Sequence, residues 1–212
     1  MMSPGEAGIT IAKWAEHHRR DFSFRKTNDP FRLLVAEMLL RQTTARQVDM
    51  VYEGLFRAFP TADDLAMADL RKLRSIIRPL GIRSRVQQLR DLARMIQYEY
   101  GGDVPDSYDE LTSFAGVGPY IAGVVLTFSF KKRYPLVDTN IERVLGRLVG
   151  ISSVSTKHAR IDEIYDSMSP FGQERDFHYG MLDIAAMYCR PKHSKCAGCP
   201  CTAFCAQVVT RK

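Results

Sequence analysis

Phe114-Ala115-Gly116-Val117-Gly118-Pro119-Tyr120 separates two stretches of helical apolar spacing, so this heptapeptide joins helix to helix through a tight turn. Gly116 and Gly118 permit positive φ, and Pro119 suits the first position of a helix running to about Phe128. Just upstream, Ser107 and Glu110 have the spacing of a capping box for a short helix. The same turn leaves backbone N–H groups uncovered at a helix N-terminus, where fixed dipoles favour an anion such as a phosphate. Taken alone, a Gly-x-Gly reads first as a plain turn.

Helical periodicity continues in both directions, and strand-like alternation is almost absent. Helices are expected from Thr10 to Arg20, from Ala45 to Ala58, from Thr61 or Asp63 to Ala68, from Leu70 to Ile77 and from Arg83 to Tyr100. Beyond the hairpin they are expected from Asp138 to Leu148, from Lys157 to Met168 and from Asp176 to Tyr188. Asp29-Pro30 supplies an N-cap and first position for another, in which Phe31, Leu34, Val35, Met38 and Leu39 form one stripe. Leu33, Ala36 and Leu40 make its opposite side apolar as well, so it should be largely buried. The fold class is all-α.

A chain of 212 residues with 45% hydrophobic residues can bury a sizeable core as one large or two small domains. No apolar run approaches the roughly 18 residues that cross a bilayer, and MMSPGEAGIT lacks a signal-peptide pattern, so a cytoplasmic protein without membrane association is expected. Thirty Lys and Arg against twenty-four Asp and Glu leave a charge of +6, which favours a polyanionic partner. Basic clusters stand at Arg71-Lys72-Leu73-Arg74, Arg83-Ser84-Arg85, Lys131-Lys132-Arg133 and Lys192-His193-Ser194-Lys195. Any one of them, taken alone, reads as solvated surface.

Tyr134-Pro135-Leu136-Val137-Asp138-Thr139-Asn140 is an extended approach ending in a carboxylate at a helix start, so Asp138 is an N-cap with a fixed position. Such a carboxylate can also stabilise positive charge in a neighbouring pocket. Glu37 stands among apolar neighbours, where desolvation would make it a proton donor. Four cysteines, Cys189, Cys196, Cys199 and Cys205, fall within seventeen residues, with Cys201 as a spectator thiol between the last two. Structural zinc usually takes two Cys-x2-Cys knuckles, and this run has one such pair among the four, so a [4Fe-4S] cluster is favoured over zinc or disulfides.

The hairpin, the stretch Val137-Asp138-Thr139-Asn140-Ile141-Glu142-Arg143-Val144 and the cysteine run, in this order, resemble the endonuclease III superfamily of DNA glycosylases. These are helix-hairpin-helix enzymes with a Gly/Pro-rich loop, a catalytic Asp and a C-terminal [4Fe-4S] loop. The resemblance spans residues from about 25 to 205. It implies a two-domain helix-hairpin-helix glycosylase fold: a helical barrel domain over 26–132, and an iron-sulfur domain from 1–25 and 133–212 with its ligand loop at 189–205. It assigns the cluster to Cys189, Cys196, Cys199 and Cys205, phosphate contact to Gly116, Val117 and Gly118, and catalysis to Asp138 with Tyr120 and Glu37. Arg41, Gln42 and Ile82 are candidates to fill the gap left by an extruded base, and Lys192 and Lys195 to meet phosphate.

Bifunctional members carry a lysine where this chain has Tyr120. A phenol forms no imine, so the resemblance implies a monofunctional enzyme that leaves an abasic site. The stretch Leu39-Leu40-Arg41-Gln42-Thr43-Thr44-Ala45 is similar to the thymine-mismatch group, with Gln42 departing from that group's second Arg. The implied partner is mismatched double-stranded DNA, met by a monomer that is nucleoid-associated when bound. The implied reaction is excision of thymine or uracil opposite guanine. Adenine excision opposite 8-oxoguanine or guanine, as in MutY-type enzymes, and non-catalytic DNA binding on the same fold remain alternatives.

Overall fold

The computed structural model describes residues 2–81, 84–151 and 157–209, apart from the side chains of 157–159. In chain order its helices are α1 (Pro4–His18), α2 (Pro30–Leu40), α3 (Ala45–Ala58), α4 (Ala62–Ala66), α5 (Leu70–Ile77), α6 (Ser84–Tyr100), α7 (Tyr108–Ser113), α8 (Pro119–Ser129), α9 (Thr139–Val149), α10 (Lys157–Met168), α11 (Glu174–Met187) and α12 (Ala206–Val209). No strand occurs among the described residues, so the all-α expectation holds. Short 3₁₀ turns lie at Ser23–Arg25, Arg78–Leu80 and Cys196–Gly198.

The chain divides into two compact units, one covering Asp21–Arg133 and the other Met1–Arg20 with Tyr134–Lys212. The first boundary falls at residue 21 instead of 26. Phe22 stacks on Phe24, Phe24 meets Tyr52 edge-on, and the Ser23 backbone N–H donates to Asp49 at 2.7 Å, which ties 22–24 to α3.

In the unit over 21–133, α2 is the central element. Leu33, Leu34 and Leu39 are at most 1% exposed, and burying each contributes roughly 1.5–3 kcal/mol. Asp29 starts the helix by accepting the Arg32 N–H at 2.9 Å. One side of α2 packs on α8, whose residues 121–128 are all buried, and α2 also contacts α3 and α6. The α7–turn–α8 hairpin sits beside it. Ser107 accepts the Glu110 N–H, but the reciprocal half of the expected capping box is not made.

In the other unit, α1 packs against α10 and α11, and α9 against α10, α11 and α12. Helix α1 begins at Pro4, not near Thr10. Ser3 and Glu6 form a full capping box ahead of it, which Gly5 and Gly8 obscure in an apolar count. Gly8 is there for contact: a Cβ built on it would lie 1.6 Å from the Met168 carbonyl oxygen of α10. Gly180 plays the same part on α11, where a Cβ would meet Ala15 and Ile11 of α1 at 3.0–3.2 Å. Beyond α1, Arg20 holds the fully buried Asp183 through its backbone N–H and Nε, each at 2.7 Å. Helix α11 starts at Glu174 and α4 stops at Ala66, each two residues ahead of expectation.

Candidate active site and cysteine loop

At the hairpin, the Val117 N–H donates to the Phe114 carbonyl at 2.9 Å, and Phe114 and Val117 bury their side chains while Ala115 and Gly116 stay exposed. Gly116 has φ +87°, a conformation that costs a Cβ-bearing residue about 1–2 kcal/mol. Gly118 does not use that freedom: at φ −95° and ψ 179° it is extended, and it serves as the N-cap of α8 without a side-chain hydrogen bond. Most other described helix starts are capped by Ser, Thr or Asp; the bare start of α8 leaves its first-turn dipoles to face whatever docks there.

Arg41 follows α2 and turns back to the hairpin, donating from Nη1 to the Gly116 carbonyl at 3.1 Å. A Cβ on Gly116 would stand 2.5 Å from that nitrogen. Arg85, 4% exposed, in turn donates to the Arg41 carbonyl, and burial lowers its pKa. Gln42 is exposed and holds φ +57°, a strained value for a side chain with a Cβ. Such strain concentrates at sites of function, and no residue pattern foretold it. Ile82 lies outside the described residues.

Glu37 is 6% exposed on α2, and Tyr120 is half-buried in the first turn of α8. Asp138 belongs to the other unit, where it caps α9. Its Oδ1 accepts the backbone N–H of Asn140 at 2.9 Å and of Ile141 at 2.7 Å, while Oδ2 accepts the Asn140 side-chain amide at 2.8 Å. Three donors thus fix the carboxylate in rotation as well as in place.

Sequence reasoning missed how far this network runs. Arg143 donates from Nη2 to Asn140 Oδ1 at 3.1 Å and from Nε to the Cys189 carbonyl at 2.9 Å. One turn on, Arg147 donates to the Arg190 carbonyl at 2.7 Å, Ser194 Oγ at 2.9 Å, the Pro191 carbonyl at 3.1 Å and Cys189 Sγ at 3.3 Å. Positions 140, 143 and 147 share one face of α9, and that i, i+3, i+7 polar stripe was the available signal.

Cys189, Cys196, Cys199, Cys201 and Cys205 line one cavity with Arg147, Leu148, Ile184 and Tyr188. Cys201 is 1% exposed. Its hydrogen bond to Cys199 draws the Cys199 thiol down to about 7, and Cys201 itself is pushed far up. Among the described residues no three His, Cys, Asp or Glu side chains converge closely enough to hold one metal ion. Thiol sulfurs around one cavity are a donor set that a [4Fe-4S] cluster or zinc takes. The Arg147 guanidinium places a positive charge beside Cys189 Sγ. Lys192 and Lys195 are exposed on the loop between the first two cysteines.

Residues 35–167 match the family described as HhH-GPD superfamily base excision DNA repair protein. The chain belongs to that superfamily. This HhH-GPD protein is 38% identical over 192 residues to the thymine-DNA glycosylase of Aeropyrum pernix, covering 88% of this chain and 86% of that one. It is 33% identical over 200 residues to the thymine/uracil-DNA glycosylase of Methanothermobacter thermautotrophicus, covering 93% and 90%. A solved thermostable thymine-DNA glycosylase superposes with a TM-score of 0.87 at 32% identity, covering 96% of this chain and 95% of that one. The family resemblance carried by the hairpin and the Val137–Val144 stretch therefore holds, and the HhH-GPD protein is a base excision repair glycosylase acting on DNA. No described helix is long and apolar enough to cross a membrane.

Proposed function

We propose that this glycosylase hydrolyses the N-glycosidic bond of thymine or uracil mispaired with guanine, acting as a monomer and leaving an abasic site. The observation that carries the chemistry is the carboxylate of Asp138, oriented by three donors at the start of α9. Breaking an N-glycosidic bond builds positive charge on the sugar, and a fixed carboxylate stabilises that charge and orients the attacking water. Extruding the base costs a few kcal/mol, least for a mispaired one, so weak pairing contributes to selectivity. Glu37 and Tyr120 would hold the base edge, with Glu37 giving a proton to the leaving base. A phenol at position 120 provides no amine for a Schiff base, which supports hydrolysis without strand cleavage.

The hairpin residues Gly116, Val117 and Gly118 would hold a phosphate, with Arg41 and Gln42 at the mismatch and Lys192 and Lys195 on the flanking backbone. Cys189, Cys196, Cys199 and Cys205 fit a [4Fe-4S] cluster, in donor type and in their arrangement around one cavity. When bound, it supplies a rigid anchor that orders the loop. The thymine and uracil assignment is supported by the Aeropyrum and Methanothermobacter relatives and by Leu39-Leu40-Arg41 ahead of Thr43-Thr44.

The test is base release from T:G, U:G and A:8-oxoguanine duplexes by the wild type and Asp138→Asn. Release from T:G and U:G, with strands cut only after alkali, is expected. Asp138→Asn should bind duplex normally and release nothing. Release confined to A:8-oxoguanine refutes the pyrimidine assignment, and full activity of Asp138→Asn refutes the mechanism.

A further inference from the structure

Arg71, Arg74 and Arg78 stand outside every site described so far. Leu73 and Ile77 are at most 3% exposed, so they fix the roll of α5 against α3 and α6. Arg71 and Arg74 lie on α5 and Arg78 follows it as the first residue of the Arg78–Leu80 turn; spaced i, i+3 and i+7, they flank the buried face as one stripe, and all three are exposed. At about 1.5 Å per residue the stripe is roughly 10 Å long, the axial reach of about three phosphates on one DNA strand at about 3.4 Å each.

Several of the protein's other cations are already engaged. Arg20 is paired with Asp183, Lys26 with Asp21 and Lys132 with Asp106. Arg143 and Arg147 are spent on the cysteine loop, Arg32 lies over the Phe56 ring and Lys72 over the Phe59 ring. No carboxylate among the described residues forms an ion pair with Arg71, Arg74 or Arg78; Asp69, the nearest acid in sequence, is the α5 cap and accepts the Arg71 and Lys72 backbone N–H groups. The stripe runs directly into the Pro79-Leu80-Gly81 turn, which Gln47 of α3 holds by donating to the Pro79 carbonyl at 3.3 Å.

We infer that Arg71, Arg74 and Arg78 form a second phosphate-binding track, separate from the hairpin, that grips one strand of the duplex flanking the target base. This rests on the DNA glycosylase reading and adds to it a surface that sets affinity and register without touching the reacting base. Guanidinium groups suit the task because they pair with phosphate oxygens through two parallel N–H groups.

The experiment compares the wild type, Arg71→Gln/Arg74→Gln/Arg78→Gln and the matching triple Lys variant on matched and T:G duplexes over a salt series. The expected result is a log K against log salt slope shallower by about 2.7 in the Gln variant, about 0.9 per phosphate lost, and equal weakening on both duplexes. The Lys variant should keep the wild-type slope, and base release at saturating enzyme should match the wild type in all three. Neutral methylphosphonate linkages in the flanking strand should weaken the wild type and leave the Gln variant unaffected. An unchanged slope in a folded Gln variant beside a steep wild-type slope overturns the track alone. A wild type with no salt-dependent duplex binding overturns both the track and the glycosylase reading.

Discussion

Replacing Asn140 by Ala removes one of the three donors to Asp138 and uncouples the carboxylate from Arg143. The two backbone donors on Oδ1 remain, so α9 keeps its cap and Asp138 loses only the group that stops it turning about its own side-chain bond. A hydrogen bond to a charged group contributes roughly 1.5–3 kcal/mol. At about 1.4 kcal/mol per tenfold, full expression of that loss in the transition state slows base release by roughly ten- to a hundredfold. The assay is single-turnover release from a T:G duplex at saturating enzyme, with duplex affinity and thermal unfolding measured alongside. Affinity should hold within about twofold, and a cost to the fold near 1 kcal/mol lowers Tm by about 2–4 °C. Asn140→Asp, which sets a like charge beside Asp138, should be slower still. Release by Asn140→Ala within threefold of wild type refutes the orienting role; a parallel collapse of Tm shows that Asn140 serves the fold instead.

Gly8→Ala should lower Tm by about 6–12 °C in a thermal melt, since a Cβ at 1.6 Å from the Met168 carbonyl forces α1 and α10 apart and such overpacking costs about 3 kcal/mol. Gly5→Ala, with nothing within 4 Å, should be neutral or stabilising. Gly116→Ala should weaken binding to every duplex several-fold in an anisotropy titration, because φ +87° resists a Cβ and Arg41 Nη1 is displaced from the turn. Arg147→Ala should lower iron per protein in purified material and speed hydrogen exchange at Arg190–Ser194, because it removes every bond that side chain makes to the loop.

Apolar period and cap chemistry placed most helices within two residues, because both act over four residues of chain and need no distant partner. The start of α1 escaped because Gly8 serves contact with Met168, more than 150 residues away, and a glycine chosen for its missing side chain looks like a turn. Gly118 permits positive φ but does not use it. Its partner in the turn, Gly116, alone takes the left-handed conformation, and only the path of the following helix decides which of two glycines must do so.

The cysteine run, the Asp138 cap and the hairpin turn were legible because each is a local motif. The sequence by itself determined an all-α HhH-GPD chain, a capping carboxylate at 138 and a thiol-rich loop. The tertiary structure decided that the carboxylate is held through Asn140 and Arg143 to the carbonyl of Cys189, that Arg147 secures the loop, and that Arg71 and Arg74 of α5 share an exposed stripe with Arg78 of the turn that follows. Those facts depend on which side of a helix meets which neighbour, a property of packing across long stretches of chain that no local spacing records.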